Sequence, residues 1–108
     1  MDLLPRIEEL RARFAEVEAA LAAPEISRDP ERLREMGREH SQLSPVIAAA
    51  QAWETAARHL AEDREMLRES EDPDLRELAR AEIPGLEADV ERLGQELKRL
   101  LLPRDPLD

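Results

Sequence analysis

Chemistry near neutral pH would fall first on His40 and His59, the only two histidines of the 108-residue chain. Imidazole can move protons or bind metals in this range. A structural zinc site needs three or four ligands at close spacing. These two histidines stand 19 positions apart, and the chain has no cysteine. Neither shows the Glu-x-x-His spacing of carboxylate-bridged metal bundles. His40 lies on an apolar stripe and reads as a packed, hydrogen-bonded core histidine. His59, beside Leu60, reads as solvent-facing.

Nucleophilic and phosphate chemistry find no support. Ser41 and Ser44 lie in no triad context or Gly-x-Ser-x-Gly turn. Gly37, Gly85 and Gly94 are too dispersed to cradle a phosphate. The carboxylates number 26, and they fall on polar helix faces beside arginines, as in Glu31–Arg34–Glu35–Arg38, a pattern of solvated i,i+4 pairs. Trp53 could anchor a partner, but its place on the stripe favours core packing. Met36 and Met66 read as gap-fillers. From Glu62 to Asp74, seven acids (Glu62, Asp63, Glu65, Glu69, Glu71, Asp72, Asp74) stand against Arg64 and Arg68, a local charge of −5. An exposed, soluble turn explains this cluster. Charge-steered docking on a basic protein surface is the functional alternative. No residue is therefore assigned as catalytic, cofactor-binding or metal-ligating, and no cofactor is expected.

The elements that would carry these residues are helices. At 42% hydrophobic and 39% charged, the composition fits either disorder or long helices, and the periodicity decides for helices. Leu3, Ile7, Leu10, Phe14, Val17 and Leu21 recur in steps of four and three, which keeps them on one helix face. This predicts a first helix from Leu3 to Ala22, with Pro5 tolerated in its first turn. Pro24 then blocks continuation. Asp29-Pro30 combines an N-cap acceptor with a proline suited to the first helical position. It opens a second helix over Glu31–Glu71, about 60 Å long if unbroken. The second stripe is Leu33, Met36, His40, Leu43, Ile47, Ala50, Trp53, Ala57, Leu60 and Leu67. Pro45 predicts a kink or short break, and Ser44 could recap a new helix there.

Asp72-Pro73 repeats the start signal, and a third helix is expected over Asp74–Leu102. Its stripe is Leu75, Leu78, Ile83, Leu86, Val90, Leu93, Leu97 and Leu100. Pro84-Gly85 should bend it near Ile83. Pro103, Asp105 and Pro106 end it and read as a linker. Strand alternation is absent. The short Glu71–Asp74 connection sets the second and third helices antiparallel. The expected fold is all-α, an elongated antiparallel three-helix, coiled-coil-like bundle over residues 1–102, with residues 103–108 beginning a linker. Alanines at 48, 49, 50, 52, 56, 57 and 61 favour close helix approach.

Charge restricts the partners. At a net −10, the chain repels phosphate backbones, so direct DNA binding is not expected. Phe14 and Trp53 alone give no stacking platform for bases. No run approaches the roughly 20 apolar residues of a membrane span. Met1–Glu9 lacks the pattern of a signal peptide.

Three blocks resemble bacterial class I peptide chain release factors. Leu100-Leu101-Leu102-Pro103-Arg104-Asp105-Pro106 is similar to the end of the first domain in the release factor 1 type, and differs from the release factor 2 type. Ser70-Glu71-Asp72-Pro73-Asp74-Leu75-Arg76-Glu77-Leu78-Ala79 resembles the start of that domain's last helix, and Arg38–Ile47 its second helix. Pro84-Gly85 departs from the family, where this helix is usually uninterrupted. The resemblance implies an amino-terminal domain of a factor that acts in translation termination at UAA and UAG codons. In the whole factor a Gly-Gly-Gln loop serves peptidyl-tRNA hydrolysis, and a Pro-x-Thr-type loop reads the codon. Neither is found here, and no two glycines are adjacent. The domain is expected to be no enzyme by itself and to stop where a catalytic core would begin. The implied setting is cytoplasmic, with the ribosomal large-subunit stalk base as partner, protein contacts favoured over rRNA, and a class II release-factor GTPase as a further partner. A stand-alone coiled-coil or chaperone-like interaction module is the alternative, and exposed heptad edges would allow a homodimer. An arm like that of seryl-tRNA synthetase would need a basic face, which this acidic chain lacks.

Overall fold

The computed structural model describes residues 3–102. The expected linker and part of the Leu100–Pro106 block lie outside them. The described residues form α1 (Leu4–Ala22), a 3₁₀ turn (Pro24–Arg28), α2 (Pro30–Glu69) and α3 (Pro73–Leu101), with no strand among them. The all-α expectation stands.

Local signals set the boundaries. Ala23 turns to extended backbone before Pro24, and α1 stops. Within the 3₁₀ turn, the Ser27 hydroxyl donates to the Pro24 carbonyl at 3.1 Å. Asp29 caps α2, accepting from the Arg32 N–H at 3.1 Å. Asp72 does the same for α3, accepting from the Asp74 N–H at 2.9 Å. Each cap satisfies a backbone donor that has no partner inside its helix.

Both interior prolines lie inside continuous helices. α2 continues through Pro45 as one helix, so the alternative of a break is overturned. Ser44 does not recap a new helix. Its hydroxyl donates back to the His40 carbonyl at 2.8 Å, a bond available only when the chain before it is already helical. α3 likewise continues through Pro84. Each proline removes one ladder hydrogen bond, and neighbouring turns hold the helix across it.

The chain packs as two compact units, divided between Ala48 and Ala49. The first contains α1 and the opening half of α2, with Ile7, Val17 and Met36 as its buried apolar residues. All three lie on the predicted stripes. Leu33, also placed on a stripe, is 43% exposed in the first turns of α2. Phe14 stacks on the His40 ring, with centroids 4.8 Å apart. Arg13 holds Glu39 with both prongs of its guanidinium, at 2.6 and 2.7 Å. These cross-helix contacts pair α1 with α2.

The second unit pairs the remainder of α2 with α3. Leu67 meets Arg76 near the turn, where the Arg76 Nε donates to the Leu67 carbonyl at 3.2 Å. His59 meets Glu82, and Trp53 meets Gly94. As α2 numbers fall, α3 numbers rise, which is the antiparallel order expected. The buried apolar residues here are Ala50, Leu60, Ala79 and Leu97.

The start of the third stripe needs correction. Leu75 and Leu78 are 42% and 56% exposed, while Ala79 is 1% exposed. The strict four–three alternation from Leu97 back through Leu93, Val90, Leu86 and Ile83 reaches Ala79 and then Arg76. Large leucines one position away suggested a different face, but helix geometry sets the register. Leu100, at the far end, is 36% exposed.

Candidate functional site

Backbone strain, a frequent companion of active sites, is missing among the described residues. None has a cis peptide bond or a positive φ. Candidate chemistry therefore rests on side-chain clusters.

His40 sits on the predicted face but is no core residue. Its side chain is 36% exposed. One ring face lies on Phe14. Nε2 is 3.6 Å from Glu18 Oε2, and Nδ1 is 3.4 Å from the Ser44 hydroxyl. The ring seals the edge of the α1–α2 contact. Beside it, the charged hydrogen bonds from Arg13 hold the Glu39 carboxyl below its usual range and push the arginine pKa up. This pair is partly exposed, so solvent screening limits its worth.

His59 is solvent-facing, as expected, but it is not alone. It projects from α2 on the same face as Asp63, one turn later, with His59 Nε2 and Asp63 Oδ1 3.8 Å apart. Glu82 reaches across from α3 and places Oε2 3.2 Å from the same Nε2. One potential ligand atom from each residue lies within 4.8 Å of the others. Imidazole and carboxylates are metal-ligand types. By sequence Asp63 belongs to the acidic turn, yet it is 8% exposed, and its Oδ2 is buried without a hydrogen-bond partner. The three-step from Leu60 falls on Asp63 and the following four-step on Leu67, so the carboxylate occupies a stripe position. That spacing, together with His59 at i−4, was the visible signal. Glu82 had none, because only the pairing of α2 with α3 brings it near.

The other acids of the turn, Glu62, Glu65, Glu69, Glu71, Asp72 and Asp74, are exposed. Asp72 is committed to capping α3, and the Ser70 hydroxyl accepts from its N–H at 3.1 Å. Arg64 turns away from this group to donate to Glu87 on α3 at 3.1 Å. The turn thus presents an exposed acidic surface. Trp53 is half-buried, and a Cβ at Gly94 would lie 3.3 Å from its indole nitrogen. The indole packs on α3, which favours the packing role over the anchor.

A family model described as the PCRF domain matches residues 10–108. The chain belongs to the PCRF-domain family. Its relatives include peptide chain release factor 1 of Sorangium cellulosum, 42% identical over 97% of this chain and 28% of the relative. The release factor 1 of Lawsonia intracellularis is 39% identical over 98% of this chain and 29% of its own length. That of Bacillus licheniformis is 34% identical over 98% of this chain and 30% of its own length. The resemblance read from the three sequence blocks therefore stands, as a PCRF domain of the release factor 1 type. The chain spans under a third of the length of these curated relatives. No solved structure matches it. Among the described residues, no helix is long and apolar enough to cross a membrane.

Proposed function

We propose that this PCRF domain serves translation termination at UAA and UAG codons by positioning a release factor 1-type protein on the ribosome in the cytoplasm, without taking part in hydrolysis or codon reading. The observation that carries this reading is the family match over residues 10–108, joined to relatives named peptide chain release factor 1. The mode of contact follows from the surface. A chain of net charge −10 meets phosphate backbones unfavourably, so its contacts at the large-subunit stalk base are with protein. The exposed acids around the α2–α3 turn suit a basic protein surface and would steer the encounter. A class II release-factor GTPase acting near that place is a second partner of the same reading.

The test places the domain in its full-length factor and changes Glu65, Glu69 and Glu71 to lysine. Asp72 is spared because it caps α3. Peptide release from stop-codon ribosomes should need several-fold more factor for half-maximal rate, with kcat unchanged. The difference should shrink as salt rises. Unchanged ribosome affinity at low salt would remove the acidic turn from the contact.

A further inference from the structure

We propose that His59, Asp63 and Glu82 form a binding site for one divalent transition-metal cation of the zinc class, bridging α2 and α3. This inference rests on the geometry of the second unit and is independent of the release-factor reading.

The donors have the right chemistry. One imidazole nitrogen and two carboxylates form a borderline set, suited to zinc and its neighbours, whereas magnesium and calcium prefer oxygen donors alone. The spacing is also suitable. Zinc holds nitrogen and oxygen ligands at about 2.0–2.2 Å, so adjacent donors of a tetrahedron lie about 3.4 Å apart. His59 Nε2 is 3.2 Å from Glu82 Oε2 and 3.8 Å from Asp63 Oδ1. Small side-chain rotations close the remaining gap, which lies within 4.8 Å. His59 and Glu82 are 49% and 36% exposed in their side chains, leaving an entry path and a fourth position for water.

Asp63 supplies the independent observation. It occupies a stripe position where Leu60 and Leu67 flank it, at 8% exposure, with Oδ2 unpartnered. A buried acceptor without a donor is costly. A cation held through Oδ1, the oxygen 3.8 Å from His59 Nε2, would balance the charge of this buried carboxylate and neutralise its close approach to Glu82. A histidine–carboxylate ion pair is the competing explanation. It needs a protonated ring, whereas zinc needs a neutral one.

The experiment titrates the full chain with zinc chloride by calorimetry at pH 7.5 in a non-chelating buffer. One equivalent should bind. His59→Gln, at an exposed position, and Glu82→Gln, at a half-buried one, should each weaken affinity by at least about tenfold, the lower end of the loss seen even for residues outside the ligand shell. Asp63→Asn should do the same, with circular dichroism checking that its helices remain. His40→Gln removes a histidine that also lies beside a carboxylate and should leave the binding unchanged. Zinc should raise the melting temperature of the unaltered chain and leave that of His59→Gln unmoved. Absence of one-site binding, equal affinity in the His59 and Glu82 variants, or an equal loss in His40→Gln would each overturn the proposal.

Discussion

Leu97→Ala and Leu78→Ala make the same chemical change on one helix and should have very different consequences. Leu97 is fully buried, at 0% exposure, while Leu78 is 56% exposed. Truncating leucine to alanine removes three carbons, worth about 2.4 kcal/mol at roughly 0.8 kcal/mol per buried methylene. If half of the vacated volume, on the order of 40 Å³, stays open, the cavity adds about 1 kcal/mol. Leu97→Ala should therefore destabilise the second unit by about 3 kcal/mol, within the range of roughly 2–5 known for such changes. Leu78→Ala should stay within about 0.5 kcal/mol of the parent, as surface changes do. Urea unfolding followed by helical circular dichroism measures both, provided the slopes with denaturant match. A loss at position 78 equal to that at 97 would refute the register that places Ala79, and not Leu78, on the inward face.

Three further outcomes are expected. Gly85 has open space where a Cβ would stand, so Gly85→Ala should raise stability by about 0.5–1 kcal/mol through helix propensity, seen as a higher melting temperature. Gly94→Ala should gain less, because the new methyl meets the Trp53 indole at 3.3 Å. Glu39 should titrate below the usual glutamate range because Arg13 hydrogen-bonds its carboxylate. Since the folded-state value is the lower one, its contribution to stability is complete above the unfolded-state pKa and is lost as pH falls through the folded one. Carboxyl-carbon NMR reads the midpoint directly, and Arg13→Gln should return it to the ordinary range. The same midpoint in both proteins would exclude the pair as the cause.

The helix boundaries were legible because their causes are local. Asp29-Pro30 and Asp72-Pro73 place a cap beside a proline, and no distant contact is needed to interpret them. The inward face was legible along helix interiors where apolar residues held the four–three alternation, as from Ile83 to Leu97, but not in the end turns, where Leu33 and Leu100 are exposed. It was lost where side-chain size pointed the wrong way. Ala79 is small and Leu78 large, but position on the helix decides which one is covered. Asp63 was lost for a related reason: a carboxylate reads as surface, although its spacing from Leu60 places it inside. Glu82 could not be joined to His59 from the chain alone, since 23 positions separate them and only the pairing of two helices closes that distance. At Pro45 and Pro84 both helices stay continuous, and the break that Pro45 allowed does not occur. Their local cost is real, but long helices supported on both sides carry it.

The packing of Trp53 over Gly94 also gives the protein a built-in optical gauge. Trp53 is the only tryptophan, and the chain has no tyrosine, so its ultraviolet emission comes from one place on the α2–α3 contact. Separation of those helices should expose the indole to water and change the emission, while events confined to the first unit should leave the emission unchanged. Comparing that signal with helical circular dichroism would show, without any added label, whether the two units melt together or in turn.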